Sequence, residues 1–327
     1  MKPDWSMMPN ASAVDRRILT IDGGGIRGVF AAAFLAEVEE TVGEPLVDYF
    51  DLIAGTSTGG IIALGLGLGL SARDILGFYE QRGPEIFSGG RWKGLRRLTS
   101  AKYDPQPLLI ALQDVFAERR LGESKTRLLI PSLNLETGEV HIFKTAHVDR
   151  FVRDYKERAV DVAKATSAAP TYFPTHRLES GVPLIDGGLW ANNPMGTAAV
   201  EAIGTLGWER GNVRLLGIGC TESPATLNDR SRHGHGINYW AVRLTETFMA
   251  GQSSSSVGTA QHLLGHESVH RISPTVSAKR YKLDGINGIE SLRGLGAEVA
   301  RAEYPKVSAM FLQGKREAFQ PFKEVPR

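Results

Sequence analysis

Leu52-Ile53-Ala54-Gly55-Thr56-Ser57-Thr58-Gly59-Gly60-Ile61-Ile62-Ala63-Leu64 is the stretch from which the rest of the chain can be read. Its first three residues predict a short buried strand. Its last five predict the opening of a buried helix. Ser57 falls between them, flanked by Gly55 and Gly59, which is the pattern of a nucleophile elbow. Such a turn is tight, so side chains at the flanking positions would strike the crossing strand and helix. It lifts the hydroxyl to a helix N-terminus, where the positive end of the dipole favours developing negative charge.

Two further glycine motifs accompany it. Asp22-Gly23-Gly24-Gly25-Ile26-Arg27-Gly28 follows the apolar Ile18-Leu19-Thr20-Ile21 and precedes the helix-forming Val29 to Leu35. Three adjacent glycines leave the loop without Cβ atoms, so backbone amides can turn toward one anion, a phosphate or an oxyanion. Asp186-Gly187-Gly188 follows Val182-Pro183-Leu184-Ile185, which puts a carboxylate at the end of another predicted strand. The spacing Gly23-x-Gly25-x-x-Gly28 also matches a dinucleotide-binding fingerprint, with Asp48 about where a ribose-binding acid would be sought. In a dinucleotide site, however, that acid closes the second strand. Here Asp48 and Asp51 precede the strand, and the far end carries the serine.

Together these residues resemble the patatin-like phospholipase family: a glycine-rich oxyanion loop, a serine elbow and an Asp-Gly-Gly motif in this order. Ala165 to Pro174 and Asn192-Asn193-Pro194 also resemble the family's segments around the aspartate. The resemblance runs from residue 17 to about 220. It implies an α/β, three-layer patatin-like fold with a mainly parallel central sheet and helices on both faces. It implies a Ser57–Asp186 dyad acting through an acyl-enzyme on phospholipid carboxylic esters. The Gly23, Gly24 and Gly25 amides would form the oxyanion hole, with Arg27 supporting the loop or lying on the surface. A carboxylate is a weak base at neutral pH, so burial is expected to raise the Asp186 pKa. No cofactor is expected for the chemistry.

The histidines agree with a dyad. None of the eight (141, 147, 176, 233, 235, 262, 266 and 270) stands at a glycine-rich strand end. His262, His266 and His270 could share a helix face, but no acidic or cysteine partner makes a metal site there. With 327 residues, 42% of them hydrophobic, the chain can bury a large core. It is expected to be a flexible N-terminus over 1–16 followed by one domain over 17–327. A net charge of +2 predicts neither a nucleic acid polymer as partner nor strong adhesion to anionic lipid. Arg91-Trp92-Lys93-Gly94-Leu95-Arg96-Arg97 is a local basic, aromatic patch that reads either as a membrane contact or as a solvated loop. The single cysteine, Cys220, sits in an apolar run and reads as a buried structural thiol. No signal peptide is read at the N-terminus, and the longest apolar run, Ile61 to Leu70, is too short for a bilayer. A cytoplasmic enzyme acting at the inner face of the membrane follows. Self-association stays open.

Elsewhere the pattern predicts helices over Ala72–Arg82, Asp104–Arg120, Ala159–Ala169, Asn193–Leu206, Ile237–Leu264 and Gly288–Arg301. It predicts an irregular stretch from Pro84 to Tyr103, a hairpin within Arg127–Lys144, and strands over Val213–Cys220 and 269–274. Ser253 to Ser256 are poor helix formers, so packing or a ligand must compensate for them. The layout also resembles the cyclic-dinucleotide-activated phospholipase effectors of bacterial antiphage signalling, which degrade the host membrane. That resemblance implies a cyclic dinucleotide activator. Arg230, Arg232 and Tyr239, with the serine-rich helix, are its candidate contacts, and the region from about 221 onward is its candidate regulatory part. The alternatives are an unregulated cytosolic esterase on other acyl esters, or a dinucleotide-binding oxidoreductase.

Overall fold

The structure is a computed structural model describing residues 15–88, 100–222, 237–276 and 281–325, with side chains from 247 onward in the helix that begins at 237. Arg91 to Arg97 and Arg230 and Arg232 lie outside the described residues, as does the side chain of Tyr239.

The chain begins with β1 (Arg16–Ile21), α1 (Gly28–Val42), β2 (Leu52–Gly55), α2 (Thr58–Gly67), α3 (Ala72–Ile86) and α4 (Pro105–Phe116). It continues with β3 (Arg127–Asn134), β4 (Val140–Lys144), α5 (Ala159–Thr166), β5 (His176–Arg177), β6 (Pro183–Asp186), α6 (Gly188–Ala191) and α7 (Met195–Val200). It ends with β7 (Val213–Ile218), α8 (Ile237–Leu264), β8 (Val269–Ile272) and α9 (Ile289–Phe311). The described strands form one sheet in the order β5-β6-β3-β2-β1-β7-β8, with β4 on the other edge of β3. From β3 to β8 neighbouring strands are parallel, while β4 and β6 run antiparallel to β3.

Side-chain alternation along the strands makes two cores. Leu19, Ile21, Ile53, Leu128, Ile130, Leu216 and Ile218 face α1 to α5 and α9. Ile18, Leu52, Ala54, Leu129, Val213 and Leu215 face α7 and α8. Both faces of the central strands are thus covered, which is why they read as unbroken apolar runs.

Some element bounds depart from the sequence pattern. α3 runs through Pro84 to Ile86, the proline forgoing only its own i→i−4 bond. α9 likewise passes Pro305 and reaches Phe311, ten residues beyond expectation. α7 gives way to a π-turn over Glu201–Thr205. There Glu201 turns inward to accept from Lys144 Nζ at 2.6 Å and to meet His147 Nε2 at 2.9 Å.

The stretch after residue 221 is joined to this body. β8 extends the sheet beside β7. α9 lies so closely on α1 that a Cβ on Gly296 would come within 2.5 Å of the Phe30 carbonyl.

Candidate active site

The pairing of β3 determines how the serine and the aspartate meet. Its first half bonds β2, with Ala54 opposite Leu129, and its second half bonds β6, with Ser132 opposite Asp186. β4 covers the other edge throughout. Hence β2 and β6 lie along the same edge of β3 and run toward each other, and their C-terminal ends meet across a short gap at Ile130 and Pro131. The Pro131 carbonyl faces this gap, accepting from Thr166 Oγ1 at 2.6 Å. A proline fits the middle of this strand because neither β2 nor β6 pairs with it on this edge, Ile142 of β4 standing opposite it on the other.

Ser57 emerges from β2 and Asp186 ends β6, so both reach the gap. Ser57 Oγ donates to Asp186 Oδ2 at 2.7 Å. Ser57 has φ 55° and ψ −123°, a conformation an L-residue adopts only when its surroundings force it. They do so through close contact: a Cβ on Gly55 would lie 2.0 Å from the Gly59 carbonyl, and one on Gly59 would lie 2.2 Å from that of Ile21. The Ser57 amide donates to Thr166 Oγ1 at 3.0 Å, so one threonine ties the elbow to β3.

Asp186 is buried, and its second oxygen accepts the Gly188 amide at 2.6 Å. Burial pushes its pKa up to about 6, against the pull of the hydrogen bonds from Ser57 and Gly188. The rise expected for a carboxylate base is therefore present, with desolvation as its cause.

The glycine loop lies against the elbow, where Thr58 Oγ1 donates to the Gly25 carbonyl at 2.8 Å. Most of its amides are committed. Asp22 N–H donates to Ile218, Gly23 N–H to Asn192 at 2.9 Å, Ile26 N–H to Leu283 at 2.9 Å, and Arg27 N–H to Gly24. This corrects the expectation of three equivalent donors: the Gly23 amide is spent on holding the loop to the Asn192 segment. The Gly24 and Gly25 amides have no acceptor among the described residues. Arg27 Nε donates back to the Gly24 carbonyl at 3.5 Å, so its side chain folds onto the loop.

The supporting groups were not legible as such in the sequence. Asn192 Nδ2 donates to the Gly23 carbonyl at 3.3 Å, reinforcing the backbone bond in the other direction. The neighbouring Asn193 is gripped by the serine-rich part of α8. Ser256 Oγ donates to its carbonyl at 2.7 Å and accepts the Gly196 amide at 2.8 Å. Gln252 and Ser253 bond Asn193 as well. Packing against Asn193 and α7 thus compensates for these poor helix formers. Leu283, which accepts from Ile26, belongs to a strap whose Asp284 accepts from Tyr103 Oη at 2.7 Å and pairs with Lys102.

Cys220 is buried as expected; its Sγ donates to the Asp22 carbonyl at 3.2 Å, and burial pushes its thiol up to about 12. The described histidines with polar partners are engaged elsewhere: His141 faces Asp154, His176 Asp161, His147 Glu201 and His270 Glu303. Asp48 precedes β2, at the opposite end of the sheet, where it pairs with Lys315 at 3.3 Å. The dinucleotide reading therefore lacks its acid. Among the described residues no group of histidine, cysteine and carboxylate side chains could hold a metal, and no helix is long and apolar enough to cross a membrane.

A family model described as patatin-like phospholipase matches residues 19–199. A cGAMP-activated phospholipase of Pseudomonas aeruginosa is 37% identical over 254 residues, 76% of this chain and 75% of its own length. A cGAMP-activated phospholipase of Vibrio cholerae is 32% identical over 329 residues, covering 90% of this chain and 93% of its own. One of Escherichia coli is 32% identical over 332 residues, with coverage of 91% and 93%.

Proposed function

Because this chain belongs to the patatin-like phospholipase family, and is thereby a carboxylic-ester hydrolase acting on phospholipids, we propose that it works through a Ser57–Asp186 dyad switched on by a cyclic dinucleotide. The observation that carries the dyad is the 2.7 Å bond from Ser57 Oγ to Asp186, made by a serine at positive φ. With a pKa of about 6, Asp186 is mainly ionised at neutral pH and takes the Ser57 proton as Oγ attacks the ester carbonyl. The Gly24 and Gly25 amides stabilise the tetrahedral oxyanion, each worth on the order of 3 kcal/mol of barrier. Asp186 then passes its proton to the leaving alcohol. Water, activated by the same carboxylate, hydrolyses the acyl-enzyme.

Activation by a cyclic dinucleotide is supported by the relatives that match three quarters or more of this chain and are named for it. Arg230, Arg232 and Tyr239 are the proposed contacts. The setting is a cytoplasmic lipase held quiet until an antiphage signal turns it on the inner face of its own cell's membrane. The test is hydrolysis of a fluorogenic phospholipid by wild type and Ser57→Ala, each with and without a panel of cyclic dinucleotides. Turnover with one nucleotide that disappears in Ser57→Ala is expected. Equal turnover without any nucleotide would remove the switch and leave the lipase. No turnover, with no fluorophosphonate labelling of Ser57, would remove the dyad.

A further inference from the structure

Asp22 opens the glycine loop from the C-terminal end of β1, with its side chain buried. Arg271 clasps it with two bonds: Nη1 donates to Oδ1 at 2.8 Å and Nη2 to Oδ2 at 2.6 Å. Arg271 lies on β8, two strands from β1, and reaches across β7's outgoing chain at Gly219. A Cβ on Gly219 would stand 2.2 Å from Ser273 Oγ and 2.9 Å from Arg271 Nη2, so both side chains pass close over a residue that has none. The other charged groups facing Asp22 are Glu222, which takes a further bond from Arg271 Nη2 at 2.9 Å, and Arg27 of the loop itself. The neutral Cys220 thiol meets the Asp22 carbonyl.

We propose that Arg271 is a positioning residue for ester hydrolysis: by clasping Asp22 it aims the Gly24 and Gly25 amides and cancels a carboxylate charge lying two residues before the first of them. The inference rests on the dyad and loop roles given under the proposed function. Two physical features make Arg271 suited to this. A planar guanidinium holding both carboxylate oxygens fixes position and rotation together, which a lysine cannot do. An uncompensated carboxylate beside the open amides would oppose the oxyanion they stabilise, and it would do so in a poorly screened interior. Burial pushes the Asp22 carboxyl above the usual carboxylate range, while Arg271 pulls it back. Without Arg271 the first of these acts with less opposition, and Asp22 ionises only at a higher pH.

The test is the pH dependence of kcat and KM on a p-nitrophenyl acyl ester, with cGAMP present, for wild type, Arg271→Met, Arg271→Lys and Asp22→Asn/Arg271→Met. Wild type should rise on the acid side and stay level. Arg271→Met should lose at least tenfold in kcat with KM within twofold. It should also gain a falling alkaline limb, as the unpaired Asp22 ionises. Asp22→Asn/Arg271→Met should lose that limb and exceed Arg271→Met at alkaline pH. Arg271→Lys should recover part of kcat. An Arg271→Met profile of wild-type shape, or a double variant no faster than the single one, overturns the inference. If Arg271→Met does not fold, Arg271→Lys decides: reduced kcat at a wild-type thermal midpoint supports the role, and unchanged kcat overturns it. A wild type that neither turns over nor labels at Ser57 overturns instead the hydrolysis on which the role depends.

Discussion

Asp186 carries two consequences of one desolvation. Its pKa of about 6 makes kcat/KM rise with pH through that value and level off above it, the base form being the active one. Asp186→Asn should abolish the rise together with the activity, as read from an ester-hydrolysis pH profile. The same shift acts on stability. Between about pH 4 and 6 the folded chain keeps a proton that the unfolded chain has released. This contribution to stability is therefore greatest below that window, declines across it and is level above. In Asp186→Asn the thermal midpoint should fall less steeply over that range than in wild type. The loop glycines are constrained by different neighbours. Gly25 has φ +56° and a Cβ there would sit 2.2 Å from the Leu283 carbonyl, so Gly25→Ala should cost about a hundredfold or more in kcat. Gly24 is blocked by a side chain, with a Cβ lying 2.3 Å from Cys220 Cβ. Gly24→Ala should therefore be inactive and Gly24→Ala/Cys220→Gly measurably more active, because the second change vacates that space.

Among the elements, β3 has the organising role. Its two halves hold the ends of β2 and β6 against one edge, and α5 locks the junction through a single side chain. Thr166 Oγ1 accepts the Ser57 amide and donates to Pro131. Thr166→Val preserves the shape and leaves a buried amide without an acceptor. It should cost about 1–3 kcal/mol by chemical denaturation. The loss of activity should exceed what that destabilisation alone would cause, since the elbow loses the bond that aims it. α8 acts one step further out. Its Ser256 and Gln252 grip Asn193, whose neighbour Asn192 grips Gly23.

On the scale of the whole molecule, the site is supported from both ends of the chain. β8 brings Arg271 to Asp22 across 249 residues, the strap at 281–284 takes the Ile26 amide, and α9 covers the apolar face of α1 with Leu292, Ala300, Val307 and Phe311. A chain stopped after residue 288 would expose Phe30 and Phe34. It should lose cooperative unfolding and its fluorophosphonate reactivity together, as monitored by circular dichroism and labelling. The stretch proposed as regulatory also completes the core, so its removal should not leave a free catalytic domain.

The sequence by itself determined the strands other than the two-residue β5, the layered α/β class and the three glycine motifs. These depend on local rules: apolar alternation, and the steric demands of tight turns that only glycine meets at positions 55 and 59. It also marked Ser57 and Asp186, because each follows a short apolar strand and is followed by glycine. Only the tertiary structure decided which amides of the glycine loop are open. That depends on Asn192 and Leu283, which arrive from elsewhere in the chain and consume the amides of Gly23 and Ile26. Only the tertiary structure also brought Arg271 to Asp22 and turned the serine-rich helix into a support for Asn193. A lone arginine in a short strand and four serines in a helix carry no local signal of their partners. A hydrogen bond across many tens or hundreds of residues is set by how the sheet is ordered, and no nearest-neighbour rule records it.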